Sequence, residues 1–246
     1  MPVQEIYPAT PLEFVRCAER FYAALMAHVT VVAQAEPGLG GALLYVGELD
    51  GAGRALMAAG NTAGAATLAA TADRAAQKQA VREGIMDFFV TSLDEALRIL
   101  KNEVRKRATV AVCVGVGPDA VELEMRERGV QPDLLHAGVR PWAQGSRPLE
   151  AVPARGGTVR LEWHVSAAPA LWMPKLDALA RTCLLPEDAV ALRWLRLSPR
   201  YCGRAAMGVR VLRCPARVAE EFIARVAGAV KSGEVGVPVE VRAAAD

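Results

Sequence analysis

The sequence predicts an α/β fold, a parallel sheet with helices on both faces followed by a smaller α+β part. Three observations carry that prediction. Residues 43–46 are a short apolar strand, glycines follow at Gly47, Gly51 and Gly53, and an alanine-rich helix comes next. Residues 110–128 repeat the order, with a β-branched and small apolar run, a turn at Gly115 and Gly117, and a helix from Pro118. Strand and helix patterns then alternate over residues 43–135, which is how a parallel sheet is wound. A glycine turn between strand and helix lets backbone N–H groups approach a pyrophosphate, and the positive end of the helix faces its charge, so the first unit reads as the opening of a Rossmann-like domain. Its spacing is G-x-x-x-G-x-G instead of G-x-G-x-x-G, and Glu48 and Asp50 put two carboxylates in the loop, where they would repel a phosphate.

The elements follow in order. Apolar residues Leu12, Val15, Phe21, Leu25 and Val29 recur at helical period, with Thr10 and Pro11 as cap and first-turn residue, so a helix is expected within 11–35. Residues 37–41 break it, 43–46 form the first strand, and 54–64 the crossover helix, which ends at Gly64. A weak strand at 66–70, a helix at 73–83, a strand at 85–90 and a helix at 92–106 come next, the last capped by Ser92 with Glu95 three positions on. The strand at 110–114 should be central, beside the first glycine turn if the two strands are neighbours, and 130–135 adds one more. Residues 142–157 turn to Pro, Gly and Arg without apolar period, which marks a linker between a domain at 1–141 and one at 158–246. Beyond it a strand at 159–165, a helix at 174–183, strands at 191–197 and 208–214, a helix at 216–231 and a strand at 237–241 fit a small ferredoxin-like sandwich or an extension of the first sheet.

Composition narrows the function classes. The 246 residues are 52% hydrophobic and 23% charged, ordinary for a globular chain. A net charge of +2 argues against nucleic-acid binding, and the basic run at 101–107 includes a glutamate and reads as a helix end. No apolar run is long enough for a membrane span, and the first residues lack the order of a signal peptide, so a cytoplasmic location is expected. The five cysteines, Cys17, Cys113, Cys183, Cys202 and Cys214, show no C-x-x-C pair and read as buried thiols, Cys183 and Cys202 included, although arginines flank the latter. His28, His136 and His164 show no metal-ligand spacing; His28 and His164 read as packing residues. Neither a G-x-S-x-G elbow nor a G-K-[ST] loop is present.

Read in order, residues 40–135 resemble the NAD-binding insert of the urocanase family. The run from Gly47 to Ala55 stands where that family has G-L-G-G-M-G-G-A, followed by Ala63-Gly64 and then Thr71-Ala72-Asp73 at the end of the next strand. Gly84-Ile85-Met86-Asp87 is similar to its T-G-Y-L-D run, Ser92 to Leu97 to its S-L-D-E-A-L, and residues 112–134 to its strand-glycine-helix segment ending in R-G-V-x-P-D. The resemblance implies a Rossmann-like fold, NAD as cofactor and a hydratase ancestry. Two departures bear on activity: Thr71 replaces the acid that would hold the adenosine ribose, and after Asp133 the family's T-D-Q-T-S-A-H-D-P gives way to Leu134-Leu135-His136-Ala137-Gly138-Val139-Arg140-Pro141. Family chains are also much longer. Full urocanate hydratase activity is therefore not expected.

The candidate ligand-binding residues are Gly47, Gly51, Gly53 and Arg54 at the first turn, Asn61 within its helix, Gly115, Gly117 and Asp119 at the second turn, and His136 past the next strand. Each has a plain alternative: a βα turn needs its glycines, Asp119 is a natural first-turn acid, and Asn61 could bond a neighbouring loop. Two functions follow. One is a nucleotide or small anionic ligand bound at the sheet edge. The other is a degenerate interaction module, for which the small residues of 54–66 and the apolar opening helix suggest a homodimer.

Overall fold

A computed structural model describes residues 10–27, 29, 37–136, 147–149 and 157–245. His28 lies outside them, as does most of the 142–157 segment. The chain opens with α1 (Pro11–Ala27). It then alternates β1 (Leu43–Glu48), α2 (Gly51–Ala63), β2 (Ala66–Ala70), α3 (Arg74–Glu83), β3 (Phe88–Val90), α4 (Leu93–Lys106), β4 (Val110–Val114), α5 (Pro118–Glu127) and β5 (Leu134–Leu135). A two-residue strand, β6 (Arg147–Pro148), follows. After it come β7 (Thr158–His164), α6 (Pro169–Cys183), α7 (Ala189–Tyr201), β8 (Val209–Pro215), α8 (Ala216–Ser232) and β9 (Glu240–Ala245). The protein is α/β, with a parallel sheet flanked by helices and a separate antiparallel sheet of three strands.

Local signals account for most boundaries. Thr10 and Glu13 form a reciprocal capping box, the Glu13 N–H donating to Thr10 Oγ1 at 3.2 Å and the Thr10 N–H to Glu13 Oε2 at 2.9 Å. Asp73 caps α3, Ser92 caps α4, and Gly64 ends α2 at a φ of +96°. The parallel strands lie in the order β3-β4-β2-β1-β5-β6. Alternate side chains serve opposite faces: Leu44, Val46, Ala69 and Cys113 join the core under α1 and α2, whereas Tyr45, Leu68, Val112 and Val114 join the one under α4 and α5. The strand β4 is interior, as expected, but β2 separates it from β1, so the two glycine turns are not on neighbouring strands. The chain leaves β1 toward β2 and leaves β5 toward β6, and these opposite exits put the topological switch between β1 and β5.

Several expectations need correction. The crossover helix begins at Gly51 instead of residue 54, and α6 at Pro169 instead of Pro174, since a proline at the first helical position starts a helix that then runs through the second proline. The strand at 85–90 shortens to Phe88–Val90. Residues 191–197 are helical, inside α7: Trp194, Leu195 and Ser198 are buried at helical spacing, and the apolar run read as a strand is one helix face. The C-terminal part therefore runs β-α-α-β-α-β, with the sheet order β8-β7-β9, and is not a ferredoxin-like sandwich.

Helix α1 joins the two sheets. Its residues Phe14, Val15, Ala18, Tyr22 and Leu25 are buried in one cluster that also holds Leu56 of α2 and Phe222 of α8. Arg16 donates through Nε and Nη2 to both oxygens of Glu162 on β7, each at 2.6 Å. Arg213 on β8 donates to the buried Glu19 at 3.2 Å. Burial opposes ionisation of Glu162, yet the hydrogen bonds and charge of Arg16, joined by Arg160, outweigh it and hold the carboxyl below its ordinary range. On the other side α2 is buried along almost its whole length between β1, β2, α1 and α7. Both surfaces expected to serve a dimer, the small residues of α2 and the apolar face of α1, are thus taken up inside the chain.

Arg16→Ala should lower stability by about 1.5–3 kcal/mol at pH 7, the range for hydrogen bonds to charged groups. Because the folded state lowers the Glu162 pKa, that loss is full above 4.5 and fades as the pH falls through the lowered value. Urea unfolding of both proteins at pH 7 and pH 3 measures it.

Candidate functional site

The switch between β1 and β5 opens at the C-terminal edge of the parallel sheet, where α/β proteins bind ligands. Four segments meet there or nearby: the β1–α2 connection, the β4–α5 connection, His136 after β5, and one side of α1.

The first connection is only two residues long, Leu49 and Asp50. Gly47 lies inside β1, at a register shift against β2 and with a φ of +81°, which glycine adopts without strain. Gly51 and Gly53 are inside α2 and buried. A Cβ on Gly53 would stand 1.9 Å from the Glu48 carbonyl oxygen and 3.3 Å from Val46 Cγ1, so this glycine exists for contact between helix and strand. Asp50 caps the helix, its Oδ1 accepting from the Gly53 N–H at 2.8 Å. The place where a dinucleotide phosphate would accept that N–H already holds a carboxylate of the chain.

Arg54 turns away from the loop toward Glu83 at the end of α3, Nη1 to Oε2 being 3.2 Å. Asn61 sits near the far end of α2, where its Oδ1 accepts from Thr67 Oγ1 at 3.0 Å. About 12 Å of helix separates it from Gly53. Of the residues expected at the first turn, then, the glycines are together, and Arg54 and Asn61 are engaged elsewhere.

The second connection is built differently. A Cβ on Gly115 would meet the Phe89 ring at 2.6 Å, so Gly115 too is a packing glycine. Gly117 precedes Pro118 as the cap residue of α5 and supplies no side-chain hydrogen bond; among the described residues, its chain neighbours aside, no atom lies within 4 Å of where its Cβ would be. Among the described residues nothing covers this helix N-terminus. Asp119 lies exposed in its first turn. One turn on is Glu122, whose carboxyl is pushed up chiefly by burial and further by the charge of Asp119, against the opposing effects of Arg126 and Tyr45. Tyr45 is wholly buried beneath it, its hydroxyl donating to the Pro118 carbonyl at 3.5 Å. Burial first, and then the charges of Glu122, Glu48 and Asp119, raise the Tyr45 pKa. His136 is half-buried and stacks edge-on against Phe21 of α1, with ring centroids 6.0 Å apart.

Tyr45, Glu122 and Arg20 of α1 are the residues the sequence reading missed. Arg20 and Asp50 both act on the Cys17 thiol, which burial pushes up, so α1 borders the edge near Asp50. A tyrosine within an otherwise aliphatic strand, and acids at 119 and 122 one helical turn apart, were the available signals. Among the described residues the sum at this edge is acidic, with Glu48, Asp50, Asp119 and Glu122 against Arg20 of α1 and Arg126, which pairs with Glu122 at 3.2 Å. It suits a hydroxyl-bearing or cationic group better than an anion.

The remaining candidates are structural. All five thiols are buried, and burial pushes Cys113, Cys202 and Cys214 up to about 12 and Cys183 upward, which suppresses thiolate chemistry. Among the described residues no cluster of three or more His, Cys, Asp or Glu could hold a metal ion, and no helix is long and apolar enough to cross a membrane. The architecture defines a Rossmann-like α/β protein. No family model matches the chain.

Gly53→Ala should cost more than about 3 kcal/mol, because backbone must move to admit the methyl group. Gly117→Ala should stay within about 1 kcal/mol, the modest price of a poorer cap residue. Thermal unfolding of the two variants separates a closed turn from an open one. Glu122→Gln should stabilise the protein at pH 7: the raised folded pKa means that ionisation costs stability as the pH rises above 4.5, and glutamine removes that cost. The gain should disappear at pH 4 and below, which a pH series of melting temperatures reads directly.

Proposed function

We propose that this protein is a non-catalytic Rossmann-like interaction module, similar in plan to the urocanase NAD-binding insert but working through protein contacts. The observation that carries the reading is the Asp50 cap on α2, together with the seat of Gly53 on the Glu48 carbonyl at 1.9 Å from a would-be Cβ. A dinucleotide turn needs free N–H groups and room for a pyrophosphate. Here a fixed negative charge takes the first and backbone takes the second. Thr71, in place of a ribose-binding acid, donates nothing to that role; its Oγ1 accepts from the Asp73 N–H at 3.1 Å.

A second reading, binding of a nucleotide or another small ligand, is favoured by one feature, the start of α5, which has no side-chain cap and, among the described residues, open space at Gly117. A ligand there would meet Asp119 and the half-buried Glu122, so hydroxyl or amine groups would have to face them.

Thermal unfolding against NAD⁺, NADH, AMP and urocanate at millimolar concentration decides between the two. The module reading expects shifts below about 1 °C. A ligand at 100 times its Kd adds about 2.7 kcal/mol, which moves the melting temperature by roughly 5–10 °C in a chain of this size. A shift of that order would overturn the module reading.

A further inference from the structure

The β3 edge of the parallel sheet sets exposed aromatic side chains beside open backbone. Strand β3 is the terminal strand of the order and, among the described residues, pairs only with β4. Val90 carries the ladder, its carbonyl accepting from the Gly115 N–H at 2.9 Å. In a parallel ladder alternate residues bond to one neighbour, so the backbone N–H and C=O of Phe89 point away from β4. Natural edge strands are normally blunted by short length, charge, proline or a covering element, and β3 has the first of these at three residues. This one carries two phenylalanines, Phe88 at 48% and Phe89 at 43% exposure.

Phe89 forms the floor of a groove of about 430 Å³ whose wall is α3, through Gln77, Lys78, Val81 and Arg82. Val81 is 57% exposed on a helix whose only buried residue is Ala80. An apolar floor, an apolar wall and open backbone groups lie side by side. The lining of the groove is one-sided in charge: it holds two cations, Lys78 and Arg82, and no carboxylate. Neither cation has an ion-pair partner among the described residues, whereas Glu83, at the end of the same helix, pairs with Arg54.

We propose that this edge docks an extended acidic peptide, which adds as a strand beside β3. Its backbone bonds to Phe89, one row of apolar side chains covers Val81 and Phe89, the alternate row covers Phe88, and its carboxylates meet Lys78 and Arg82. Strand addition draws affinity from backbone hydrogen bonds and specificity from alternate side chains, which is the combination this edge offers. The proposal rests on the interaction-module reading and names the partner chemistry for it.

The test is selection of a phage-displayed random heptapeptide library on the full chain, with the double variant Lys78→Glu/Arg82→Glu as counter-target. Both side chains are on the exposed face of α3, and a melting temperature within 2–3 °C of the parent, about 1 kcal/mol, certifies the variant's fold. Selected peptides should combine β-branched or aromatic residues at alternating positions with Asp or Glu. Their fluorescence anisotropy titrations should weaken at least tenfold on the double variant and on Val81→Asp. The proposal is overturned if no peptide is enriched on the parent over the double variant, or if the enriched peptides are basic. A failure here with melting unmoved by nucleotides removes this surface alone, whereas a nucleotide shift removes the module reading whatever the library returns.

Discussion

The structure depends on one helix being buried from both sides. Helix α1 packs on α2, the helix covering one face of the parallel sheet, and on β8 of the antiparallel sheet. A helix in that position needs apolar residues around most of its circumference, which is why Phe14, Val15, Ala18, Tyr22, Leu25 and Met26 are all buried. It also needs answers for each polar group it takes inside. Arg16 meets Glu162 and Glu19 meets Arg213, each pair crossing from α1 to the antiparallel sheet. Broken singly, such pairs leave a charge without its partner in a poorly solvated place, so they fix how α1 lies more than they add net stability. The aromatic contacts agree: Tyr22 is 5.0 Å from Trp194 of α7 and donates its hydroxyl proton to the Val190 carbonyl, and Trp194 donates to the Val211 carbonyl of β8.

Seen from α2, the same arrangement explains its composition. A helix enclosed by two strands and two other helices has no room for long side chains, and Gly60 shows how little: a Cβ there would stand 2.6 Å from Leu44 and 2.7 Å from Thr67. Even the helix end is covered, Arg193 of α7 donating to the Thr62 carbonyl at 2.9 Å. The glycines that read as a phosphate cradle belong to this requirement. Glycine serves close approach of backbone to ligand and close approach of backbone to backbone equally well, and the letters do not say which.

That ambiguity marks where the sequence was legible and where it was not. Local chemistry could be read: the Thr10 and Ser92 caps, the Gly64 stop, the strands at 66–70 and 110–114 and the alternation behind the parallel sheet all follow from residues near one another in the chain. What failed depended on contacts between distant segments. Residues 191–197 look like a strand until Trp194 and Leu195 are seen to share a buried helix face. The order of strands, with β2 between the two glycine turns, is set by packing that no local pattern records. At the candidate site the glycines and acids were visible, but what decides their use was not: Gly53 meets the backbone carbonyl of Glu48, which no residue letter reports, and the partners of Arg54 and Gly115, Glu83 and Phe89, lie at separations the motif does not contain.

The position of α1 also bears on how the chain is made. It is the first element described, yet Arg16 waits for Glu162, 146 residues later, and Glu19 for Arg213, 194 residues later. During synthesis the helix can begin to meet α2 early, but its other apolar face stays open until β7 and β8 have left the ribosome. Contacts so far apart in the chain slow folding and prolong the exposure of sticky surface. A nascent chain of this kind has most of its parallel sheet before it has a finished core, and that interval is when a chaperone would find it.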